Sequence, residues 1–447
     1  MIRVWHYQEI RASVLFLAAL AAMSGALLVF TSREAAAGLL LLLAAFQVFL
    51  YVNGLDQRLA EADARPFARR LLTSLGGAAL VSGLAYYVRP QLSPGPGQAI
   101  RLLALAVLIV LLSRWLLRLL VKRNRMVESL LIVGTGDMGR KFYAELQQAR
   151  QGRPQAADGN SQSAAAAAAE AGFLLYSSEL REWVHSHGVT RVVVAEPDAI
   201  RAAELAEALL DCKLRGVVVE QAVDSYERRS RKIWLDALEA PWMIYSQGFR
   251  PPAMYRYIKG AADRLGALLL LALTWPALLA IALAVKLESR GPVLFRQLRT
   301  GQHGKNFVLY KFRSMGADAE SGEGPKWAAQ ADSRVTAIGR WLRKFRLDEL
   351  PQAFNVLRGD MSLVGPRPER PYFVSMLRQR IPFYDLRLYV KPGITGWAQV
   401  YYPYGASVED AYEKLQYDLY YTKHVSLMLD LRILLSTLRV VFFGRGR

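Results

Sequence analysis

The sequence predicts a membrane protein of three parts: a bundle of four transmembrane helices, a cytoplasmic Rossmann-like α/β domain, and a second α/β domain that carries a re-entrant membrane helix. Three observations predict this. The chain of 447 residues is 53% hydrophobic yet has 57 Lys and Arg against 38 Asp and Glu, its apolar residues are concentrated in long runs, and basic segments flank those runs. We place the three parts at residues 1–125, 126–250 and 251–447.

Four apolar segments come first. They are Ala12–Phe30, Ala35–Val52, Leu71–Val88 and Ala99–Val121. Each approaches the roughly 20 residues that a helix needs to span a bilayer. Three glycines in the third segment are expected to allow close helix packing: Gly76, Gly77 and Gly83.

The positive charges around these segments predict their orientation. Lys and Arg concentrate before the first segment, between the second and third, and after the fourth, whereas the other two loops offer only Arg33 and Arg89. Because cytoplasmic loops carry the excess of Lys and Arg, both ends of the bundle are expected to face the cytoplasm.

A soluble α/β pattern follows the bundle. The runs Val127–Val133, Val189–Ala195 and Gly216–Glu220 predict buried strands. Three glycines match the dinucleotide-binding fingerprint weakly: Gly134, Gly136 and Gly139. The acidic residue expected after the second strand is not clear, and the alanine-rich tract Gln151–Glu170 occupies that region. We therefore expect a Rossmann-like domain that does not bind a dinucleotide.

A fifth apolar run, Leu265–Val285, has cations on both flanks and Pro276 in its middle. Cations on both sides mark both flanks as cytoplasmic. Proline removes a backbone hydrogen bond and bends a helix. We therefore predict a re-entrant helix over residues 264–287 that breaks at Pro276 and leaves on the side it entered. A kinked transmembrane helix is the alternative.

The C-terminal part is basic and mixed. Pro292–Arg296 and Phe307–Phe312 predict two short strands joined by a turn at Gly301 and Gly304. The apolar stretch Val425–Phe443 contains scattered charges. It suits either an amphipathic helix in the membrane interface or a core helix of the domain.

The segment LDELPQAFNVLRGDMSLVGPRP, residues 347–368, holds the strongest chemical pattern. Asp348 and Glu349 are expected at the start of a short helix, with Pro351 in its first turn and Gly359 at its end. A carboxylate at a helix N-terminus stays ionised and can act as a nucleophile or hold Mg²⁺. Four cations precede the pair and would attract a phosphorylated substrate: Arg340, Arg343, Lys344 and Arg346. An ordinary helix cap is the alternative for an Asp at this place.

Composition excludes several other kinds of site. The only cysteine, Cys212, cannot form an intramolecular disulfide and is expected to be a small buried apolar residue. The five histidines show no metal-binding spacing. The net charge of +19 comes without a zinc-finger or aromatic RNA-binding signature, so we predict no nucleic-acid partner.

These motifs resemble those of the bacterial polyprenyl-phosphate sugar-1-phosphate transferases, the monotopic phosphoglycosyl transferases. The resemblance covers roughly residues 255–443. It is carried, in order, by GPVLFRQLRTGQHGKNFVLYKFRSM (291–315), RKFRLDELPQAFNVLRGDMSLVGPRP (343–368), VKPGITGWAQV (390–400) and YDLYYTKHVSLMLDLRILLSTLRVV (417–441). The N-terminal membrane and nucleotide-fold regions are similar to those of the large form of this family.

The resemblance implies a reaction and its residues. An aspartate attacks the β-phosphate of a nucleoside-diphosphate sugar and releases the nucleoside monophosphate. Undecaprenyl phosphate then takes the sugar phosphate from the enzyme. The family's nucleophile matches Asp348, and the carboxylate beside it matches Glu349. Both residues are expected to hold Mg²⁺. Four further positions match the family's substrate-phosphate site: Lys311, Arg343, Arg367 and Asp418.

The resemblance also implies the setting. It places the protein in the bacterial inner membrane with the catalytic domain on the cytoplasmic face. It implies an enzyme that initiates exopolysaccharide assembly from a UDP-hexose, and it is compatible with a homodimer. Two other classes remain open. One is a non-catalytic membrane scaffold for polysaccharide machinery. The other is a membrane-tethered nucleotide-sugar oxidoreductase or epimerase, for which we find no Ser/Thr-Tyr-Lys set near the glycine loop.

Overall fold

The computed structural model divides the chain into two compact units, Met1–Ser225 and Tyr226–Arg447. It describes residues 2–5, 33–53, 55, 64–122, 127–134, 137–150, 177–195, 199–238, 246, 248–249, 251–316, 334–402, 405 and 407–442. Residues 226–238 pack within the second unit, where Ile233 and Leu235 are buried against Phe373 and Leu415. The predicted division into three domains stays a prediction.

Three long helices of the first unit precede its α/β region among the described residues: α1 (Arg33–Val52), α2 (Ala64–Val88) and α3 (Pro96–Lys122). Their shared apolar core includes Leu39, Phe46, Leu71 and Ala106. Within the described chain, Arg65–Val88 and Gly97–Trp115 are long and apolar enough to cross a membrane, and Ala36–Val52 is shorter. The predicted segment Ala12–Phe30 lies outside the described residues.

One of the three glycines in α2 lies at a helix contact. A Cβ at Gly77 would come within 2.5 Å of the Phe49 ring. At Gly76 and Gly83 it would meet no described atom within 4 Å. The prediction of close packing is therefore confirmed at Gly77, and at Gly76 and Gly83 it stays a prediction.

A four-stranded sheet completes the first unit. Its strands run in the order β1 (Ile2–Trp5), β2 (Val127–Val133), β3 (Arg191–Val194) and β4 (Val218–Gln221). β2, β3 and β4 are parallel, and β1 is antiparallel to β2, with Ile2 opposite Leu130. The positions of the three predicted strands are thus confirmed to within two residues, but β4 is half-buried or exposed and not buried as predicted. β1 was missed. The intervening helices are α4 (Asp137–Arg150), α5 (Ser177–Ser186), α6 (Ala199–Leu214) and α7 (Ala222–Ser230).

The pairing of β1 with β2 constrains the path of the chain. β1 precedes the predicted membrane segments and β2 follows them. Strands of one sheet outside a membrane lie on the same side of it. If the predicted segments between them span a membrane, they cross it an even number of times. The orientation that the charges predict stays a prediction.

The glycine loop after β2 is only partly described. Gly134 has φ 147°, a value that favours glycine, and Gly139 is buried at the start of α4. Gly136 and the tract Gln151–Glu170 lie outside the described residues. Cys212 is buried in the core of this α/β region with Leu180 and Val192, as predicted. The Rossmann-like assignment stays a prediction.

The second unit begins with one long helix, α8 (Ala253–Glu288). The helix continues through Pro276, so the predicted break into two helices is wrong. A proline removes one backbone hydrogen bond, but the hydrogen bonds on either side can keep the segment helical. The apolar window of α8 also meets the length and hydropathy expected of a membrane span.

One stripe of α8 packs on the rest of the second unit. Ala267 is buried with Leu309 and Met361, and Val285 is buried with Phe312. The opposite side is apolar and exposed along the whole helix: Leu265, Leu268, Leu269, Leu273, Trp275, Leu279, Leu283 and Leu287.

The remaining elements of the second unit follow α8 in the chain. β5 (Leu294–Thr300) and β6 (Asn306–Phe312) form an antiparallel hairpin, whose turn contains Gly301 and Gly304 as predicted. β7 (Ser362–Val364) and β8 (Gly393–Thr395) form a parallel pair. The helices are α9 (Ala337–Lys344), α10 (Gln352–Arg358), α11 (Pro371–Arg380), α12 (Trp397–Tyr401), α13 (Val408–Lys423) and α14 (Leu427–Phe442).

The last helix combines the two predicted alternatives. Ile433 of α14 is fully buried in a core with Trp397 and Tyr421. Leu427, Met428, Leu431 and Leu438 are exposed. α14 is therefore a core helix that also presents apolar side chains to its surroundings.

Candidate active site

Asp348 and Glu349 lie in a single 3₁₀ turn, Leu347–Glu349, between α9 and α10. Arg346, just before the turn, has a left-handed backbone with φ 54°. That conformation redirects the chain sharply after α9 and turns both carboxylates inward. Gly359 ends α10 with φ 92°, as predicted. Pro351 immediately precedes α10, one position earlier than expected.

Glu349 is held by two cations on the same oxygen. Arg367 Nη2 donates to its Oε1 at 2.8 Å, and Lys311 Nζ donates to it at 3.3 Å. Glu349 is only 7% exposed. Charged partners of this kind fix a carboxylate and keep it ionised. The sequence motifs around residues 311, 349 and 367 thus meet at one point.

Asp348 has a different environment from its neighbour. It is 8% exposed and faces a cleft, and among the described residues none is hydrogen-bonded or ion-paired to its carboxylate. An oxygen of Asp348 is therefore open to a ligand in the cleft, whereas the Oε1 of Glu349 is not. The two adjacent carboxylates can therefore serve different functions.

The charges of the site move the pKa values in opposite directions. Burial and the Glu349 charge raise the pKa of Asp348, against the pull of Lys311, Arg343 and Arg367. Burial alone would raise the pKa of Glu349, but Arg367 and Lys311 outweigh it and hold that pKa well below its ordinary value. The helix-terminus argument predicted an ionised carboxylate. At Asp348, burial makes ionisation harder than that argument allowed.

Lys311 is the titratable cation of the site. Burial lowers its pKa to about 8, although the charge of Glu349 opposes this shift. The pKa of Arg367 is raised by Glu349, so this arginine stays charged. Glu349 therefore has one partner that is permanently charged, Arg367, and a second, Lys311, whose charge depends on pH near 8.

The Pro-Arg-Pro loop that carries Arg367 is fixed through its backbone. The carbonyl of Pro366 accepts from the backbone N–H of Gly393. The carbonyl of Arg367 accepts from Arg387 at 2.8 Å, and that of Pro368 accepts from Arg299 at 2.9 Å. Three separate elements thus position one loop, which holds the Arg367 side chain towards Glu349 at little entropic cost.

Arg343 reaches the site from α9. Its Nε donates to Ser314 Oγ at 2.9 Å, and it lines the cleft with Asp348. This contact depends on a close approach of α9 to the end of β6, where a Cβ at Gly339 would lie 2.1 Å from the Ser314 carbonyl oxygen. Only glycine allows that approach.

Asp418 lies in the same cleft, away from the two carboxylates. It is 2% exposed and pairs with Arg387 at 2.8 Å, and Arg387 also donates to Tyr384 at 2.6 Å. Burial raises the pKa of Asp418 to about 6, against the charge of Arg387. An anion has no attraction for a phosphate. Asp418 instead pairs with Arg387, which also donates to the Arg367 carbonyl.

These side chains line one cleft of about 1020 Å³ in the second unit. Cations outnumber acids along its walls, as expected for a site that takes a diphosphate. The cationic lining residues are Arg296, Arg299, Lys311, Arg313, Arg334, Arg343, Arg346, Arg367, Arg370, Arg387 and Lys414. The acidic ones are Asp348, Glu349, Glu369 and Asp418.

The carboxylates of Asp348 and Glu349 fit one common mode of Mg²⁺ binding. Across the described ranges, no group of three His, Cys, Asp or Glu side chains could hold a metal by itself. Mg²⁺ commonly takes one or two carboxylates and completes its shell with water and substrate phosphates. The free oxygens of Asp348, with Glu349 beside it, fit that mode, and a bound cation would offset the raised pKa of Asp348.

Sequence reasoning missed part of this arrangement. Arg387 and Tyr384 belong to no motif that pointed to the site, and Arg299, which lies in the motif of residues 291–315, was not predicted to contribute to it. Arginines close to apolar residues, as in YDLRLY (384–389), are a hint of burial, but they do not name the partner. Pro276 lies in α8, outside the residues that line the cleft.

Comparison with known proteins gives a consistent picture. The profile of the family described as bacterial sugar transferase matches residues 254–444. The chain is 47% identical over 196 residues to the UDP-N-acetylgalactosamine-undecaprenyl-phosphate N-acetylgalactosaminephosphotransferase of Aeromonas hydrophila, covering 44% of this chain and 46% of that protein. It is 37% identical over 265 residues to the undecaprenyl-phosphate glucose phosphotransferase of Komagataeibacter xylinus, covering 58% and 49%.

A third relative is covered more fully. The UDP-glucose:undecaprenyl-phosphate glucose-1-phosphate transferase of Caulobacter vibrioides is 46% identical over 181 residues, which is 40% of this chain and 67% of that protein. The chain spans about half the length of the Aeromonas and Komagataeibacter proteins.

Proposed function

Because this chain belongs to the bacterial sugar transferase family, we propose that it transfers a sugar 1-phosphate from a nucleoside-diphosphate sugar to undecaprenyl phosphate. One observation carries the proposal. Two adjacent buried carboxylates face a cationic cleft, where Glu349 is fixed by Lys311 and Arg367 and Asp348 is open. The chemistry needs this combination of one anchored and one reactive carboxylate.

In the first step, an oxygen of Asp348 attacks the β-phosphorus of the donor. The bond from that phosphorus to the bridging oxygen breaks, and the nucleoside monophosphate leaves with that oxygen. Lys311, Arg343 and Arg367 bind the phosphate oxygens, where arginine can make two parallel contacts. Their charges offset the repulsion between a carboxylate and a diphosphate.

In the second step, a phosphate oxygen of undecaprenyl phosphate attacks the same phosphorus. The bond to Asp348 breaks, the carboxylate is restored, and the product carries the sugar on a diphosphate. Asp418 orients Arg387, which in turn holds the loop of Arg367 during both steps. A covalent intermediate allows the water-soluble donor and the lipid acceptor to use one site in turn.

Mg²⁺ is the metal proposed for this site. Asp348 would hold it together with the donor phosphates, with Glu349 as the second carboxylate nearby. When bound, the ion would neutralise charge that develops on the leaving phosphate. Activity that is lost with a chelator and restored by Mg²⁺ is the expected behaviour.

The site has to meet a lipid, and α8 supports this. Residues before and after Pro276 both pack on the catalytic unit, through Ala267 and Val285, while the other side of the helix exposes apolar side chains. Neither half is free to carry the chain to a separate body across the bilayer. We therefore retain the re-entrant arrangement as a bend of α8 within the membrane rather than a break.

The names of the relatives support a proposal for the donor and the setting. Two of the three are named for UDP-linked sugars and all three for undecaprenyl phosphate, which favours a UDP-hexose or its N-acetylated form as donor. Undecaprenyl phosphate implies the bacterial inner membrane, with the cleft on the cytoplasmic face where nucleotide sugars are available. The product would begin the assembly of an exopolysaccharide or another surface glycan.

The test uses purified protein in nanodiscs with Mg²⁺ and a panel of UDP-sugars. Release of UMP that requires undecaprenyl phosphate for multiple turnovers, and that is lost in Asp348→Asn, is the expected result. Asp385→Asn is the matched control, because Asp385 is an exposed aspartate paired with Arg378 away from the cleft. Folded protein that releases no nucleotide from any donor would favour a non-catalytic scaffold.

A further inference from the structure

The N-terminal part of α8 is tied to the domain by a buried polar network. Tyr255, Lys259 and Asp263 are spaced by four residues and share one face of the helix. Asp430 of α14 accepts from Tyr255 at 3.0 Å and from Lys259 at 2.9 Å. Asp263 Oδ1 accepts the backbone N–H of Leu363 in β7 at 3.2 Å.

The C-terminal end of α8 is tied by a single arginine. Arg313 Nη2 donates to the carbonyls of Val285 at 3.2 Å and Ser289 at 2.7 Å, and Nη1 donates to that of Arg290 at 3.2 Å. A buried cation thus satisfies the carbonyls that a helix leaves free at its end. Gly291 is required beside it, since a Cβ there would lie 2.3 Å from Arg313 Nη1.

Both ends of α8 are connected in this way to the segments of Arg367 and Lys311, the two cations that contact Glu349. Leu363 is four residues before Arg367 on the segment that runs from β7 into the Pro-Arg-Pro loop. The next residue, Val364, accepts at its carbonyl from Tyr421, which also donates to Asp430 of the network. Arg313 is two residues after Lys311 at the end of β6.

We propose that Asp263 and Arg313 are positioning residues that couple the seating of α8 to the placement of Arg367 and Lys311. Asp263 joins one end of the membrane-facing helix to β7, which leads into the loop of Arg367. Arg313 joins the other end to β6, which holds Lys311. A shift of the helix would therefore separate the two cations from their common oxygen on Glu349. The effect on turnover rests on the proposed function, whereas the effect on the two strands does not.

The test compares local amide exchange with activity in the full chain in nanodiscs. Asp263→Ala removes the acceptor of the Leu363 N–H, so exchange over residues 361–370 is expected to rise about tenfold or more, as for loss of a hydrogen bond to a charged group. UMP release is expected to fall about tenfold to a hundredfold, the cost of a small misplacement. Asp263→Asn keeps an acceptor oxygen and is expected to restore both.

Arg313→Lys is the second variant, because one ammonium keeps the charge but cannot reach three carbonyls. Amide exchange in Arg313→Lys is expected to rise over residues 306–316. Arg264→Gln is the matched control, since Arg264 is an exposed cation next to Asp263 whose side chain donates only weakly, to the Gly260 carbonyl at 3.4 Å. It is expected to change neither readout.

The outcomes separate the two proposals. Unchanged exchange in both variants, or a rise spread evenly over the whole second unit, would overturn the positioning roles. A local rise in a protein whose unaltered form releases no nucleotide would support them and overturn the proposed function alone. If Asp263→Ala does not fold, Arg313→Lys decides the result by the same two readouts.

Discussion

Asp348 and Glu349 are neighbours in the chain, yet their carboxylates meet different surroundings. Glu349 shares one oxygen between Arg367 and Lys311, and Asp348 faces the cleft without such a partner among the described residues. The protein therefore buries one carboxylate that two cations contact directly and one that no described residue contacts in this way, although three cations lie near enough to lower its pKa. Uncompensated buried charge is costly to stability and is found where a ligand or a reaction needs it.

This difference predicts opposite effects of Asp348→Asn on stability and activity. The raised pKa of Asp348 means that ionisation costs folding free energy at neutral pH, so the neutral variant is expected to melt at a higher temperature at pH 7. UMP release is expected to fall by a factor on the order of 10³ or more. Thermal unfolding in nanodiscs between pH 4 and pH 8 measures the first effect.

The pH dependence of the stability gained by Asp348→Asn follows from proton binding to Asp348 in the folded and unfolded states. The gain is present above the folded pKa of Asp348 and shrinks as the pH falls towards the ordinary aspartate value of about 3.9. Glu349→Gln is the matched comparison. Its folded pKa is lowered, so removal of its charge is expected to destabilise the protein at pH 7. Equal shifts of the melting temperature in the two variants would contradict the assignment.

Lys311 predicts a pH limit on donor use. With a pKa of about 8 it loses its charge as the pH rises through that value, so kcat/KM for the donor is expected to decline above about pH 8. Lys311→Arg keeps its charge at any accessible pH and is expected to remove this decline. Glu349→Gln removes a charge that raises the Lys311 pKa, so the decline should begin at lower pH.

The pH profile of kcat/KM for UMP release is the measurement. A decline that begins at the same pH in the unaltered protein and in Lys311→Arg would assign the titration to a different group. Tyr384, whose pKa burial raises to about 12, titrates too high to account for it.

At the scale of elements, α9 and β6 approach each other through one glycine. Gly339→Ala would bring a Cβ to 2.1 Å from the Ser314 backbone oxygen, and backbone cannot yield as a side chain can. The variant is expected to lose about 1–3 kcal/mol of stability and to displace Arg343 from Ser314. Gly316→Ala is the control, because its Cβ would meet no described atom within 4 Å.

Urea unfolding and UMP release report on this contact together. We expect Gly339→Ala to lower both the free energy of unfolding and the turnover, and Gly316→Ala to lower neither appreciably. A full-activity Gly339→Ala variant would show that α9 can withdraw without harm to the site.

Several elements could be predicted from local chemistry. The hairpin turn at Gly301 and Gly304 and the end of α10 at Gly359 follow from glycine's backbone freedom. The strand Val127–Val133 follows from a short, mainly apolar run. The meeting of Lys311, Glu349 and Arg367 was expected only through the family resemblance. Contacts between distant segments, such as Arg387 with the Arg367 carbonyl, leave no local trace in a sequence.

Two elements escaped prediction for physical reasons. α8 continues through Pro276 because the neighbouring backbone hydrogen bonds and the packing of its stripe outweigh one lost bond. β1 is four residues long, and its pairing with β2 is a long-range contact that short strands do not signal. Burial at Asp348 likewise depends on segments far along the chain.

At the scale of the whole molecule, the topology gives a further prediction. The β1–β2 pairing puts residues 2–5 and the α/β region on one side of the membrane. The re-entrant proposal puts both flanks of α8 on one side as well. In a Cys212→Ser background, cysteines placed at the exposed positions Gly188, Arg264 and Lys286 are expected to react with an impermeant maleimide from the same, cytoplasmic side.

Labelling of intact cells against inside-out vesicles makes this measurement. Reaction of the Arg264 and Lys286 positions from opposite sides would show that α8 spans the bilayer, and the re-entrant proposal would then be abandoned. The Gly188 position tests the first unit separately, since it depends only on the even number of crossings between β1 and β2.

The central claim is that Asp348 becomes covalently bound to the sugar phosphate. We would incubate the protein with Mg²⁺ and its UDP-sugar without undecaprenyl phosphate, digest it rapidly in acid, and map the mass of the peptide that contains residues 347–358. The account predicts a sugar-phosphate adduct on Asp348 that disappears when undecaprenyl phosphate is added. UMP release in the absence of any adduct, with Asp348→Asn still active, would contradict it.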